Sequence, residues 1–218
     1  MSPRNEPMPA RFPLEEETVH SPADCALAFA VPMRWAEFER SLGGANRDFV
    51  PRLMEANPGR SAASVWEEYA LIAKYALDLS ARAKRAGALI EFDATYAAWR
   101  RALERKPVTV LFAHCRHAAF DAVEFADGLY TVADVAAAVP TDFAGVLDFA
   151  VCYSLQLGQA IKARAPRSQV LMNKHETALD LRLAMLRQAL HLIADGGYSY
   201  PAAMTEVRLA LTHGGKSR

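Results

Sequence analysis

The sequence predicts an α/β fold in which a mostly parallel central sheet is covered by helices on both faces. Short apolar runs bounded by turn residues have the length of buried strands, and helical patterns separate them. Strands that are apolar throughout, rather than alternating with polar residues, are typical of parallel sheets buried on both faces. The predicted strands are residues 25–31, 88–92, 108–114, 146–152 and 169–173.

Capping residues and apolar spacing predict the helices between these strands. The longest follows Ser61, a candidate N-cap, and carries apolar residues at three-and-four spacing until Gly87 ends it. In the next helix Asp93 is the expected cap. A hairpin-like segment over residues 122–125 is expected to turn at Asp127 and Gly128. The predicted helices are residues 35–42, 61–84, 93–104, 132–139, 155–165, 178–194 and 199–211.

The domain organisation follows from a change in composition near residue 20. Residues 1–20 contain four prolines and an acidic run, with little hydrophobic periodicity, which is the composition of a flexible arm. The rest of the chain, residues 21–218, is predicted to form a single domain. With 52% hydrophobic residues in 218, the chain is long enough to bury one substantial core.

Charge and motif content exclude several classes of function. Lysine plus arginine equals aspartate plus glutamate at 25 each, so no basic field is expected for nucleic acid. No run approaches the roughly 20 apolar residues that span a bilayer, so no membrane partner is expected. The chain has neither a glycine-rich dinucleotide turn nor a Gly-x-Ser-x-Gly motif, and no cofactor is predicted. Three cysteines in or beside apolar runs, and an N-terminus without signal-peptide order, predict a cytoplasmic protein.

Two of the predicted strands end in residues that can do chemistry, His114 and Cys152. Because the carboxyl ends of parallel strands meet at one edge of the sheet, these side chains are expected on the same edge. An imidazole beside a cysteine can accept the thiol proton and return it to a leaving amine. The helix predicted soon after Cys152 also places the sulfur near a helix N-terminus, where a thiolate is favoured. The pair is therefore a candidate base and nucleophile.

The order of these parts resembles the caspase-like cysteine peptidases, which include caspases, separase and gingipains, and most closely the bacterial CHAT branch. The similarity covers roughly residues 88 to 212, so the agreement in the order of elements counts for more than any single motif. The segments that carry it are the strand 108–114 ending in His114, the Phe-Ala-Asp-Gly segment 125–128, the Ala-Val-Cys-Tyr-Ser segment 150–154, and the last predicted helix with the tyrosines before it. The third segment has one residue inserted between alanine and cysteine.

The resemblance implies a caspase-like three-layer sandwich and a cysteine peptidase without a cofactor. Cys152 would be the nucleophile and His114 the general acid and base, with the backbone N–H groups of Cys115 and Cys152 holding the oxyanion. The substrate would be a specific protein or peptide. Bacterial relatives often act in conflict or cell-death systems, which also implies a possible activating partner protein.

Two alternatives to the peptidase remain open. The family has glycine directly after its histidine, where this chain has Cys115, which favours a catalytically inactive module that binds a protein partner. A small zinc site is the other alternative, with ligands drawn from His114, Cys115, His117 and Cys152. Asp148, inside a predicted strand, either orients a partner or faces the surface.

Overall fold

A computed structural model describes residues 18–43, 47–116, 121–175 and 178–214. Within these residues, five strands form a central sheet in which every neighbouring pair is parallel, and three strands form a small antiparallel sheet. Most of the predicted arm and His117 lie outside the described residues. The strands are β1 (Cys25–Phe29), β2 (Leu89–Phe92), β3 (Val108–Phe112), β4 (His114–Cys115), β5 (Ala122–Phe125), β6 (Gly128–Thr131), β7 (Val146–Ala150) and β8 (Gln169–Leu171).

The central sheet has the order β2-β1-β3-β7-β8, and the small sheet has the order β4-β5-β6. The helices fall close to their predicted positions, with one addition described below. They are α1 (Trp35–Ser41), α2 (Phe49–Glu55), α3 (Ala62–Arg85), α4 (Tyr96–Arg105), α5 (Val132–Ala138), α6 (Leu155–Arg164), α7 (Leu179–Asp195) and α8 (Tyr200–Gly214).

Helices cover both faces of the central sheet, which confirms the predicted α/β class. On one face, Leu27 and Phe29 of β1 belong to a core built with α3, α7 and α8, and the rings of Phe29 and Phe112 stack with centroids 4.8 Å apart. On the other face, Ala28 and Leu111 belong to a core built with α4, α5 and α6. The strands are apolar throughout because successive side chains enter different cores.

The predicted helix caps are partly correct. Ser61 caps α3 by accepting a hydrogen bond from the Ser64 N–H, and Gly87 follows that helix with a φ of 93°, a conformation that favours glycine. The prediction of Asp93 as the cap of α4 is wrong. Thr95 caps α4 by accepting from the Ala98 N–H, because the chain makes one more turn after β2 before the helix begins.

The predicted strand ends are also wrong for the two strands that lead to His114 and Cys152. In the central sheet, β3 ends at Phe112 and β7 ends at Ala150. After Phe112 the chain leaves the central sheet, and His114 and Cys115 form β4 against β5. After Ala150 the chain turns instead of extending. The sequence stays apolar beyond both strand ends, but the pairing between β3 and β7 stops at Phe112 and Ala150.

The helix α2 was not predicted. It is a single seven-residue element with Pro51 in its first turn, too short to show helical periodicity. In the part of the chain that the structure describes, no helix combines the length and the apolar character needed to cross a membrane.

Candidate active site

His114 lies in β4, just beyond the carboxyl end of β3, with its side chain 10% exposed. Its Nε2 is 3.0 Å from Oδ2 of Asp48, and its ring lies 5.6 Å from the ring of Phe49. A carboxylate only accepts hydrogen bonds, so in this contact Nε2 carries the proton. The Asp48 carboxylate therefore selects one tautomer of the histidine and fixes the plane of its ring.

Asp48 is held in place by Glu124, which is the cross-strand partner of His114 in the small sheet. Directly opposed residues in an antiparallel pair project to the same face, so the Glu124 and His114 side chains leave the sheet together. The buried Glu124 carboxylate accepts hydrogen bonds from the N–H groups of Asp48 and Phe49, each at 2.8 Å. These are among the otherwise unpaired donors at the start of α2. The carboxylate thus anchors α2 where Asp48 reaches His114.

Arg47 completes this anchor on its other side. Its guanidinium lies 3.7 Å from the Glu124 carboxylate and donates to the carbonyl oxygens of Phe125, at 2.7 Å, and Ala126. The segment leading into α2 is therefore attached to β5 through both a side chain and its backbone. Because β5 also pairs with the strand that carries His114, these contacts hold Asp48 in a fixed position relative to the histidine.

Glu124→Ala is expected to lower the free energy of unfolding by about 2–3 kcal/mol, because two backbone N–H groups and Arg47 lose a buried acceptor. Urea unfolding followed by circular dichroism measures this. The matched control is Glu55→Ala, since the Glu55 side chain at the end of α2 is 68% exposed and should cost under about 0.5 kcal/mol. Equal losses for the two variants would contradict an anchoring role for Glu124.

Cys152 lies in a turn between β7 and α6, just beyond the carboxyl end of the strand that pairs with β3. Phe112 of β3 pairs with Ala150 of β7, and the two candidate residues are each two positions further along the chain. Both therefore lie beyond the carboxyl edge of the central sheet, as predicted. Cys152 is half-buried, and α6 begins three residues after it.

The turn at Cys152 is strained and braced. Tyr153 has a φ of 52°, which is uncommon for a bulky residue. Asn173, just after β8, donates its side-chain amide to the carbonyl oxygens of Phe149 at 3.0 Å and Val151 at 3.1 Å. Its backbone N–H donates to the Ser154 hydroxyl at 2.8 Å. These bonds hold the backbone on both sides of the cysteine, so that the sulfur is presented from a fixed turn.

Cys115 has an extended backbone, so the position does not require glycine. Among the described residues other than glycine, positive φ occurs only at Asp93 and Tyr153. The Arg116 N–H donates to the Ala122 carbonyl at 2.9 Å, and hydrogen-bonded pairs alternate along an antiparallel ladder. Arg116 and Ala122 form a hydrogen-bonded pair, so the adjacent pair of Cys115 and Val123 is a non-hydrogen-bonded pair. The Cys115 N–H therefore points away from β5. It is a candidate oxyanion donor.

The Cys115 side chain is buried and its thiol is held protonated. Burial raises the pKa of this thiol to about 11, and the nearby charges of Cys152 and Asp48 add to the effect. The two cysteines are therefore within electrostatic reach of each other. Burial also raises the pKa of Cys25, the first residue of β1, to about 12.

The remaining candidate residues take other roles. Asp148 does not face the surface: it is buried in β7 and bonds to Arg182 and Tyr200. Among residues 18–43, 47–116, 121–175 and 178–214, no group of three or more histidine, cysteine or acidic side chains could hold a metal ion. The proposed zinc ligand His117 lies outside these ranges.

Sequence reasoning missed three residues that shape the site: Asp48, Glu124 and Asn173. A proline in the first turn after an aspartate, as in the segment that begins α2, is a helix-start signal and could have located Asp48. Glu124 and Asn173 give no such signal, because their partners are distant in the chain.

Two cavities lie far from this edge of the sheet. One, of about 470 Å³, lies between the last turns of α3 and α7, and the other, of about 700 Å³, lies where β7 and β8 begin.

Comparison with known proteins finds no family model, curated protein or solved structure that matches this chain. The class defined by the fold and the site is therefore an α/β protein with a histidine and a cysteine at the carboxyl edge of a parallel sheet.

Proposed function

We propose that this protein is a cysteine peptidase in which Cys152 is the nucleophile and His114 the general acid and base. More particularly, we propose a caspase-like endopeptidase of the CHAT type that cleaves a specific protein partner. One observation carries this proposal. The two residues lie at the same edge of the central sheet, each two positions after the end of β3 or β7, and Asp48 fixes the histidine ring.

The chemistry follows from the hydrogen bonds of the histidine. Asp48 accepts the proton on Nε2, so Nδ1 is the nitrogen that takes the proton from the Cys152 thiol. The sulfur then attacks the carbonyl carbon of the scissile peptide, and the negative oxygen is held by the backbone N–H groups of Cys115 and Cys152. The histidine returns the proton to the departing amine as the C–N bond breaks. Water, deprotonated by the same nitrogen, hydrolyses the resulting thioester.

A second candidate is a catalytically inactive caspase-like module that binds a protein. The observation that favours it is the buried Cys115 side chain in the position that is glycine in the family. The extended backbone at Cys115 weakens this candidate, because the N–H direction does not depend on glycine there.

Selective thiol chemistry tests the proposal. A peptide acyloxymethyl ketone should label Cys152 and leave Cys25 and Cys115 unmodified in the folded protein, as mapped by mass spectrometry. Burial raises the pKa of Cys115 from 9.0 to about 11, which lowers its thiolate fraction about 100-fold. His114→Ala should suppress the labelling of Cys152, and Lys74→Ala, on the exposed side of α3, should not. Equal labelling of the three cysteines, or no labelling of Cys152, would reject the peptidase in favour of the inactive module.

A further inference from the structure

The larger cavity lies at the amino-terminal edge of the central sheet, opposite the edge that carries Cys152. It has a volume of about 700 Å³ and opens where β7 and β8 begin. This size is within the range of small-molecule sites. We call it the amino-edge cavity. The polar side chains that line it are Thr18, His20, Lys162, Arg167, Ser168, Gln169 and Ser199.

The charge of the amino-edge cavity is unbalanced. The Lys162 ammonium donates to the carbonyl oxygens of Pro166 at 2.9 Å and Ser168 at 2.5 Å, which hold it in place without neutralising it. Arg167 forms no ion pair with any described residue, and the described residues that line the cavity include neither aspartate nor glutamate. Two cations therefore border a concave space to which the described residues contribute no counter-charge.

A buried histidine adds a directed donor to this cavity. His20 is 8% exposed, and its Nδ1 accepts a hydrogen bond from the Tyr200 N–H at 3.1 Å. Because a backbone N–H only donates, Nδ1 is unprotonated and the ring proton is on Nε2. Burial lowers the pKa of His20 and so favours this neutral form, whereas the charge of Asp24 acts in the opposite direction. Within the described part of the chain, no group forms a hydrogen bond with Nε2.

We propose that the amino-edge cavity binds a small phosphate-bearing anion. A phosphate group offers several acceptor oxygens, and the cavity supplies an ammonium, a guanidinium and an imidazole N–H to meet them. Lys162 needs no rearrangement, because its two carbonyl bonds leave one N–H for the ligand. This site is independent of the proposed peptidase chemistry, because it shares no residue with the carboxyl edge of the sheet.

Isothermal titration calorimetry with sodium pyrophosphate at constant ionic strength tests the proposal. We expect saturable binding to the parent protein and about tenfold weaker binding to Arg167→Gln, which loses a charge-assisted bond. The matched control is Arg101→Gln, since Arg101 is exposed on α4 and does not line the cavity. Citrate distinguishes phosphate chemistry from general anion binding. No saturable binding, an equal effect of the two variants, or equal affinity for citrate would each overturn the proposal.

A second measurement places the ligand in the cavity. In protein with ¹⁵N-labelled histidine, pyrophosphate should shift the Nε2 resonance of His20 in the parent and leave the other histidines unchanged. Lys162→Met should weaken the pyrophosphate dependence of this shift, and Lys162→Arg should restore it by keeping the charge. A His20 resonance that does not respond at saturating pyrophosphate would overturn the placement.

Discussion

Cys152→Ala is expected to reduce cleavage of a peptide library by about 1000-fold or more, because in the proposed mechanism the thioester forms on the Cys152 sulfur. His114→Ala is expected to give a loss of similar size, since residues that act as one unit do not contribute additively. The measurement is mass-spectrometric detection of new peptide termini, which also reports the sequence preference at the cleaved bond.

Cys115→Ala is the matched control for this experiment. It removes the buried thiol of β4 but keeps the backbone N–H that points away from β5. Its cleavage rate should stay within a few-fold of the parent, with the same cleavage sites. A Cys152→Ala protein that cleaves as fast as the parent would reject the nucleophile. Equal losses in both cysteine variants would instead indicate that this edge of the sheet is sensitive to any substitution.

Arg182→Met is expected to lower the free energy of unfolding by about 3–5 kcal/mol, because it leaves the carboxylate of Asp148 buried without its cation. Asp148 lies in the middle of β7, the strand that leads to Cys152. Its Oδ1 is 2.5 Å from the Arg182 guanidinium of α7, and its Oδ2 accepts from the Tyr200 hydroxyl of α8 at 2.8 Å. Burial and the Asp148 charge raise the pKa of Tyr200, which keeps that hydroxyl a donor. Urea unfolding measures the loss.

Arg187→Met on the same helix is the control, since Arg187 is exposed and its loss should cost under about 0.5 kcal/mol. The double variant Arg182→Met with Asp148→Leu should recover part of the lost stability, because no unpaired charge is then buried. A single Arg182→Met variant as stable as the control would contradict a structural role for this pair. A double variant less stable than the sum of its single substitutions would contradict the charge explanation.

The strands were predictable because burial in a parallel sheet leaves a local record in the sequence. The run around Leu27 and the run around Leu111 are apolar on both sides because each strand faces two cores. The ends of the runs were less predictable. Ala113 and Val151 are as apolar as the strand residues before them, yet both lie outside the central sheet. Composition records burial, and burial continues where strand pairing stops.

The burial of two acidic residues could not be predicted from the sequence either. Asp148 and Glu124 interrupt apolar runs, and the sequence does not distinguish a buried acid with partners from an exposed one at a strand edge. Their partners decide the matter: Arg182 for Asp148, and the first N–H groups of α2 for Glu124. Each partner is more than 30 residues away along the chain, so no local pattern could identify it.

The sequence by itself determined that this chain forms an α/β sheet whose strands lead to His114 and Cys152, because apolar runs and helical spacing are local properties. Only the tertiary structure decided what surrounds them. The register of β3 against β7 brings the carboxyl ends of both strands to one edge of the sheet, and Asp48 reaches His114 across 66 residues of sequence. Such contacts depend on how separate elements dock, and docking is determined by the packing of the whole core.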